Sequence, residues 1–140
     1  MKDLNNPRIS FDCLRHSKEQ HFDIRIATDG RWFHEGDEIR RIEMVKLFAS
    51  VLLRDKTGDY WLATPIEKGR ITVDDAPFII CEIFLRAGVD TKSNEIHFRT
   101  NLDETIALDA AHPISLLPAH DSNALRPYIA VRNGLLAKLS

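Results

Sequence analysis

Glycine is scarce and scattered in this chain. The six glycines, at 30, 36, 58, 69, 88 and 134, never come closer than six residues apart. That excludes the dinucleotide fingerprint and the P-loop, which pack glycines around a phosphate. No Gly-x-Ser-x-Gly elbow occurs, so the hydrolase nucleophile turn is absent too. Cysteine is scarcer still. Cys13 and Cys81 are too few for a disulfide-stapled secreted fold, and both are expected as free thiols of a reducing cytosol. Cys81 lies in an apolar run and reads as core filler rather than a nucleophile. With six prolines beside the six glycines, collagen-like and linker-type sequences are excluded. No apolar run approaches the roughly 18 residues of a membrane span. The opening Met1-Lys2-Asp3-Leu4-Asn5-Asn6-Pro7 lacks an apolar h-region, so no signal peptide is expected. Neither sign of charge dominates: 19 Lys and Arg stand against 21 Asp and Glu, a net charge of -2, with a pI near 6.3. Duplex nucleic acid and an anionic membrane surface are excluded as partners on that ground. The histidines, His16, His21, His34, His97, His112 and His120, show no metal-ligand spacing and read as surface or loop residues. No metal site and no cofactor are expected.

What remains is an ordinary globular composition, 44% hydrophobic and 29% charged over 140 residues. That is the size of one domain or two very small ones, with a real core. Residues 1–21 read as a polar N-terminal arm, with a helical turn at 11–16. From Phe22 the period becomes two, with Phe22, Ile24 and Ile26 alternating against Asp23 and Arg25, a half-buried strand. Thr28-Asp29-Gly30-Arg31 is a hairpin signal, and Arg31-Trp32-Phe33-His34 returns as the second strand. Over 40–54 the period turns helical. Glu43, Lys46, Ser50 and Arg54 form one polar stripe while Met44, Val45, Leu47, Phe48, Val51, Leu52 and Leu53 fill the other arc. A helix so apolar is expected to be the central helix of its half, covered on more than one side, and capped near Thr57-Gly58. Val45 and Leu52, seven residues apart, are expected to be buried on one face.

Strands follow at Tyr60-Trp61-Leu62-Ala63, at 67–73 and at 78–85, with Thr64-Pro65 breaking the first pair. A turn at Gly88-Val89-Asp90 leads to strands at 95–100 and 104–108. Residues 109–127 read as a wandering connection with a short strand at 114–117. The end is a hairpin, 128–132 and 135–139, around the type I′ pair Asn133-Gly134. One long helix among mainly antiparallel strands is α+β. The boundary is expected at Asp74-Asp75-Ala76-Pro77, dividing an N-terminal half with a hairpin, helix and strands (22–75) from a β-rich half (76–140).

Glu67-Lys68-Gly69-Arg70 and Asp74-Asp75 flank one strand. They read either as a solvated hairpin end or as a polar rim beside Trp61 and Phe78, where aromatic faces and arginines such as Arg99 and Arg132 hold a base and a phosphate. Asp74 is expected in a turn, and Asp75 in a pair with Arg99 or Arg132.

One set of blocks is less generic. It comprises Arg31-Trp32-Phe33-His34-Glu35-Gly36-Asp37, Tyr60-Trp61-Leu62-Ala63-Thr64-Pro65-Ile66-Glu67, Val73-Asp74-Asp75-Ala76-Pro77-Phe78, Phe98-Arg99-Thr100-Asn101-Leu102-Asp103 and Tyr128-Ile129-Ala130-Val131-Arg132-Asn133-Gly134-Leu135. Over about residues 22–139 the chain resembles domain-of-unknown-function family 1285, an uncharacterised bacterial group. The resemblance implies two related motifs, the second like a pleckstrin-homology half-barrel. It also implies a ligand site between the halves, for a nucleotide-like molecule, and a role in signal transduction. Carried onto this chain, the site residues are Trp61, Thr64, Glu67, Asp75, Phe78, Arg99, Asn101 and Arg132. Members continue past the Gly-Leu-x-Ala segment into a Tyr-rich helical tail. This chain stops at Ser140, so a closing element of the second half is expected to be missing. The reading that results is a cytoplasmic small-ligand-binding module. The alternative is a protein–protein interaction module without a small ligand, and an enzyme comes third. The ligand reading requires a concave pocket; the interaction reading requires an exposed apolar patch. Oligomeric state is not legible.

Overall fold

The computed structural model describes residues 18–88, 93–119 and 122–139, with side chains from Gln20 onward. The expected turn at 11–16, Cys13, His16, His120 and the Val89-Asp90 part of the second turn lie outside the described residues. The chain divides into two compact units, each with its own sheet.

Of the described residues, the first unit comprises 18–27 and 31–74. It contains β1 (Lys18–Ile26), β2 (Trp32–His34), β3 (Asp37–Glu38), α1 (Ile42–Ser50), β4 (Leu52–Arg54), β5 (Tyr60–Ala63) and β6 (Glu67–Val73). The sheet order is β3-β2-β1-β6-β5-β4. Every pair is antiparallel except the central β1–β6 pair, which is parallel. β1 begins at Lys18, within the segment expected to be an arm. The period-two expectation holds where it was read: Ile24 and Ile26 are buried while Asp23 and Arg25 are exposed. The pairing of β1 with β6 shifts between His21 and Arg25, and the Phe22 ring lies over Gly69, where an added Cβ would meet it at 2.2 Å.

The helix is shorter and less central than its periodicity predicts. It ends at Ser50, and only Val45 and Ala49 are buried on it. Ile42 is 42% exposed, so α1 is covered from one side, with Phe48 stacked on Trp32 of the sheet at 6.3 Å between ring centroids. Leu52 is buried as expected, but as a strand residue opposite Leu62. The amide of Ala63 bonds to the Val51 carbonyl, so β5 captures the backbone just where the helix stops. An apolar run such as Val51-Leu52-Leu53 satisfies either period, and the strand partner decides. Gly58, with φ +94°, serves the β4–β5 turn and caps no helix.

The second unit comprises 28–30 and the residues from Asp75 on. It holds β7 (Phe78–Ala87), β8 (Asn94–Thr100), β9 (Thr105–Ala107), β10 (Ile114–Pro118), β11 (Leu125–Arg132) and β12 (Leu135–Leu139). The sheet order is β10-β11-β12-β7-β8-β9, again antiparallel except for the central pair, β12–β7. It curls into a half-barrel. Register shifts interrupt β7 between Ile80 and Glu82 and β11 between Ala130 and Arg132, and such bulges bend strands. The first of them leaves Cys81 exposed, correcting its expected place in the core. Asn133 and Gly134 have φ of +48° and +77°, the two left-handed residues a type I′ turn requires.

Replacing each strand number of the first sheet by that number plus six reproduces the second sheet's order. The two halves are therefore repeats of one topology, with a helix between the third and fourth strands of the first only. Among the described residues no helix is long and apolar enough to cross a membrane.

Candidate functional site

Three of the eight expected site residues fall in the first unit and five in the second. Trp61 on β5 is buried. Its indole N–H donates to the Asp55 carboxylate at 2.8 Å. Lys68 Nζ and the Arg70 guanidinium carbon stand 4.6 and 4.7 Å from its ring, a cation–π arrangement. Asp55 also accepts from the Thr57 hydroxyl and from the amides of Thr57 and Asp59. The Thr57 hydroxyl first, then Trp61, hold its carboxyl far below the usual carboxylate range. Thr64 is fully buried, and its hydroxyl accepts from the amides of Ile66 and Glu67, locking the turn that Pro65 opens. Glu67, at the start of β6, accepts from Gln20 Nε2 at 3.2 Å.

In the second unit Asp75 meets Tyr128 and Lys138. The Tyr128 hydroxyl donates to it at 2.7 Å, and Lys138 Nζ lies 3.6 Å away. The two partners face each other across β11 and β12, so one carboxylate meets both. Asp74 pairs with Arg25. Phe78 is fully buried beneath the Arg132 guanidinium, 5.0 Å from the ring centroid, and Arg132 also donates to Glu104 at 3.2 Å. Arg99 donates to Asp103 at 3.2 Å, with Glu82 at 3.9 Å. Asn101 Oδ1 accepts from the Ile79 amide at 3.0 Å.

A concave site stands elsewhere in the first unit. A groove of about 820 Å³ is lined by residues 20–24 of β1, by His34 and Glu35 after β2, and by Ile39, Met44, Phe48 and Glu67. Its floor is apolar: Ile24, Ile39, Met44 and Phe48. Among the described residues its polar groups are Gln20, His21, Asp23, His34, Glu35 and Glu67, three of them carboxylates and none of them a lysine or arginine. Glu35 sits at φ +50° and Gly36 at +86° in a two-residue turn, since His34 pairs with Asp37. A glutamate in that left-handed position costs roughly 1–2 kcal/mol where asparagine or glycine fits better. Of the expected site residues only Glu67 lines this groove. Sequence reasoning missed the others because they come from β1, a tight turn and one side of α1. The one signal in the sequence was Glu35-Gly36, a turn pair carrying the wrong first residue. Among the described residues no three His, Cys, Asp or Glu side chains converge to hold a metal ion.

Residues 15–76 match the N-terminal domain of the DUF1285 family of unknown function, and residues 77–140 match its C-terminal domain. Two solved structures are similar. One is a DUF1285 family protein from Silicibacter pomeroyi DSS-3, 32% identical, with a TM-score of 0.78 over 89% of this chain and 67% of that one. The other is a DUF1285 family protein from Shewanella baltica OS155, 28% identical, with a TM-score of 0.65 over 85% of this chain and 84% of that one. No curated protein matches the sequence. Two family domains that adjoin at residues 76 and 77 and together span almost the whole chain establish its membership: the protein belongs to the DUF1285 family.

Proposed function

We propose that the protein is a cytoplasmic module that binds a small nucleoside-like ligand in the groove of its first unit, with a role in signal transduction in which occupancy is the signal. The pleckstrin-homology likeness of the second unit is part of the same proposal, supported by its curled six-stranded sheet. The observation that carries the ligand reading is the groove itself. Its volume lies in the range of small-molecule pockets, roughly 300–1,000 Å³, and a few polar groups converge over an apolar floor, as such sites require. The strained Glu35 at its lip supports the reading, because strain kept against local preference is a mark of functional positions. The three carboxylates among the described lining residues repel phosphate. The chemistry therefore favours the ring and hydroxyls of a nucleoside, neutral or cationic, over a nucleotide. His21 and His34 supply donors and acceptors to a base edge, and the carboxylates suit ribose hydroxyls or an amino group.

Thermal unfolding with adenosine, spermidine and ATP as probes tests this. A ligand at about 100 times its dissociation constant adds roughly 2.7 kcal/mol of stability. Adenosine is expected to raise the midpoint, ATP to raise it less, and Met44→Arg in the groove wall to abolish the shift. No shift with any probe at millimolar concentration overturns the reading, as does a shift that survives Met44→Arg. The alternative reading, an interaction module, is favoured by a different observation, the exposed aliphatic face of the second unit.

A further inference from the structure

The two sheets share one strand order, but among the described residues only the first has a helix laid against it. Between β3 and β4 the first unit inserts α1, whose Phe48 stacks on Trp32. The corresponding stretch between β9 and β10, residues 108–113, is a turn closed by the Asp109–His112 bridge. The second sheet's inner face can be followed by register: Ile129 opposes Ala137, Ala137 opposes Phe78, Ile80 opposes Thr100, and Phe98 opposes Ile106. All of these are buried. The same face runs on to Ile83, Leu85, Ile96 and Leu108 at one side and to Ile114, Leu116 and Leu125 at the other. There burial stops: Leu85 is 64% exposed, Leu116 62%, Leu125 60% and Ile83 58%. β12 pairs with β7 only as far as Leu139 opposite Ile80, so the rest of β7 has β8 as its one strand neighbour among the described residues.

We propose that this open end of the inner face is the contact surface between two copies of the chain, packed sheet on sheet about a two-fold axis. The inference rests on the interaction reading and names its partner. Three observations favour a second copy. The first is area. Seven large aliphatic side chains, each about half exposed, present apolar surface of the order that one partner gives to a standard interface, roughly 800 Å², and monomers rarely expose that much in one place. The second is charge. Glu82, Arg86, Glu95 and Arg126 alternate onto the other side of the sheet by register, so the aliphatic face itself is uncharged and an identical copy meets no like charge on it, whereas a membrane-binding face requires a cationic surplus. The third is geometry, because a two-fold contact joins the same patch of both copies, and an aliphatic sheet face without charge can pack on itself.

Sedimentation equilibrium of the 140-residue chain reads the outcome. The expected mass is twice the 16.0 kDa of one chain. Leu85→Lys with Leu116→Lys, both at exposed positions, is expected to raise the dimer dissociation constant by about thirty-fold or more. Ile42→Lys, on the exposed side of α1 in the first unit, is expected to leave it unchanged. Circular dichroism establishes that each variant is folded. A wild-type monomer at 100 μM overturns the proposal, and so does a folded double variant that still dimerises. A monomer that binds a labelled peptide of residues 40–51, the chain's own helix, also overturns the second copy as partner, while the interaction reading survives it.

Discussion

At the scale of single residues, burial separates two adjacent carboxylates. The Asp75 side chain is 6% exposed and Lys138 beside it 14%, whereas the Arg25–Asp74 pair is 49% and 25% exposed. Removing one partner of a buried pair leaves the other uncompensated, at roughly 3–5 kcal/mol. Losing an exposed pair costs under about 1 kcal/mol. Asp75→Asn is therefore expected to lower the urea midpoint clearly more than Asp74→Asn at unchanged slope; equal midpoints refute the structural role of Asp75. The position of Asp75 beside a boundary was legible in the sequence, since Pro77 marks it. Its partners were not, because Tyr128 and Lys138 become neighbours only when β11 pairs with β12. Asp55 gives the second residue-scale prediction. Its folded-state pKa is depressed, chiefly by the Thr57 hydroxyl and the Trp61 indole. A depressed carboxyl contributes stability that is complete above the unfolded value near pH 4 and is lost as pH falls toward the folded one. Between about pH 4 and pH 2 the wild type is expected to lose stability as pH falls, and Asp55→Asn to show a flatter profile. Parallel profiles from urea titrations at each pH contradict this.

At the scale of elements, the legible features were those in which one period fits and its alternative does not. β1 and the 128–139 hairpin are such cases: strict alternation, or an Asn-Gly pair whose positive φ values fix a two-residue turn. Residues 40–54 are the contrary case. Nearly continuous apolar character suits a helix and a buried strand alike, and length cannot arbitrate because the segment contains both. Helix α1 takes nine of these positions, Ile42–Ser50, and β4 takes Leu52–Arg54. The groove was illegible for a different reason. Its wall combines residues 20–24 of β1 with Met44 and Phe48, four residues apart on α1, and the period of neither segment says that the two meet. Leu52 keeps its energetic weight in either element. It is 4% exposed and faces Leu62, which is fully buried, so Leu52→Ala is expected to cost roughly 2–5 kcal/mol in denaturant unfolding. A loss below 1 kcal/mol means that β4 is peripheral to the first core.

At the scale of the molecule, one topology occurs twice, and the chain does not pass from one unit to the other only once. Residues 28–30, the tip of the β1–β2 hairpin, belong with the second unit. Lys138 donates to the Thr28 carbonyl at 2.8 Å, and the backbone at Gly30 closes on Asn101 and Ile79. An added Cβ at Gly30 would lie 2.8 Å from Asn101 Nδ2 and 3.0 Å from Ile79 Cδ1. Asn101 cannot withdraw freely, because its Oδ1 accepts from the Ile79 amide while its own amide donates to the Ile79 carbonyl. Gly30 also has φ +88°, which costs an alanine roughly 1–2 kcal/mol before any clash. Overpacking adds typically 1–3 kcal/mol. Gly36 separates the two contributions. Its φ is +86°, and nothing lies within 4 Å of an added Cβ, so Gly36→Ala carries the backbone cost alone. Gly30→Ala is thus expected to destabilise by about 2–5 kcal/mol, and Gly36→Ala by about 1–2 kcal/mol. Urea midpoints of the two variants make the comparison. If they coincide, the hairpin tip is not held by Asn101 and Ile79, and residues 28–30 belong to the first unit alone.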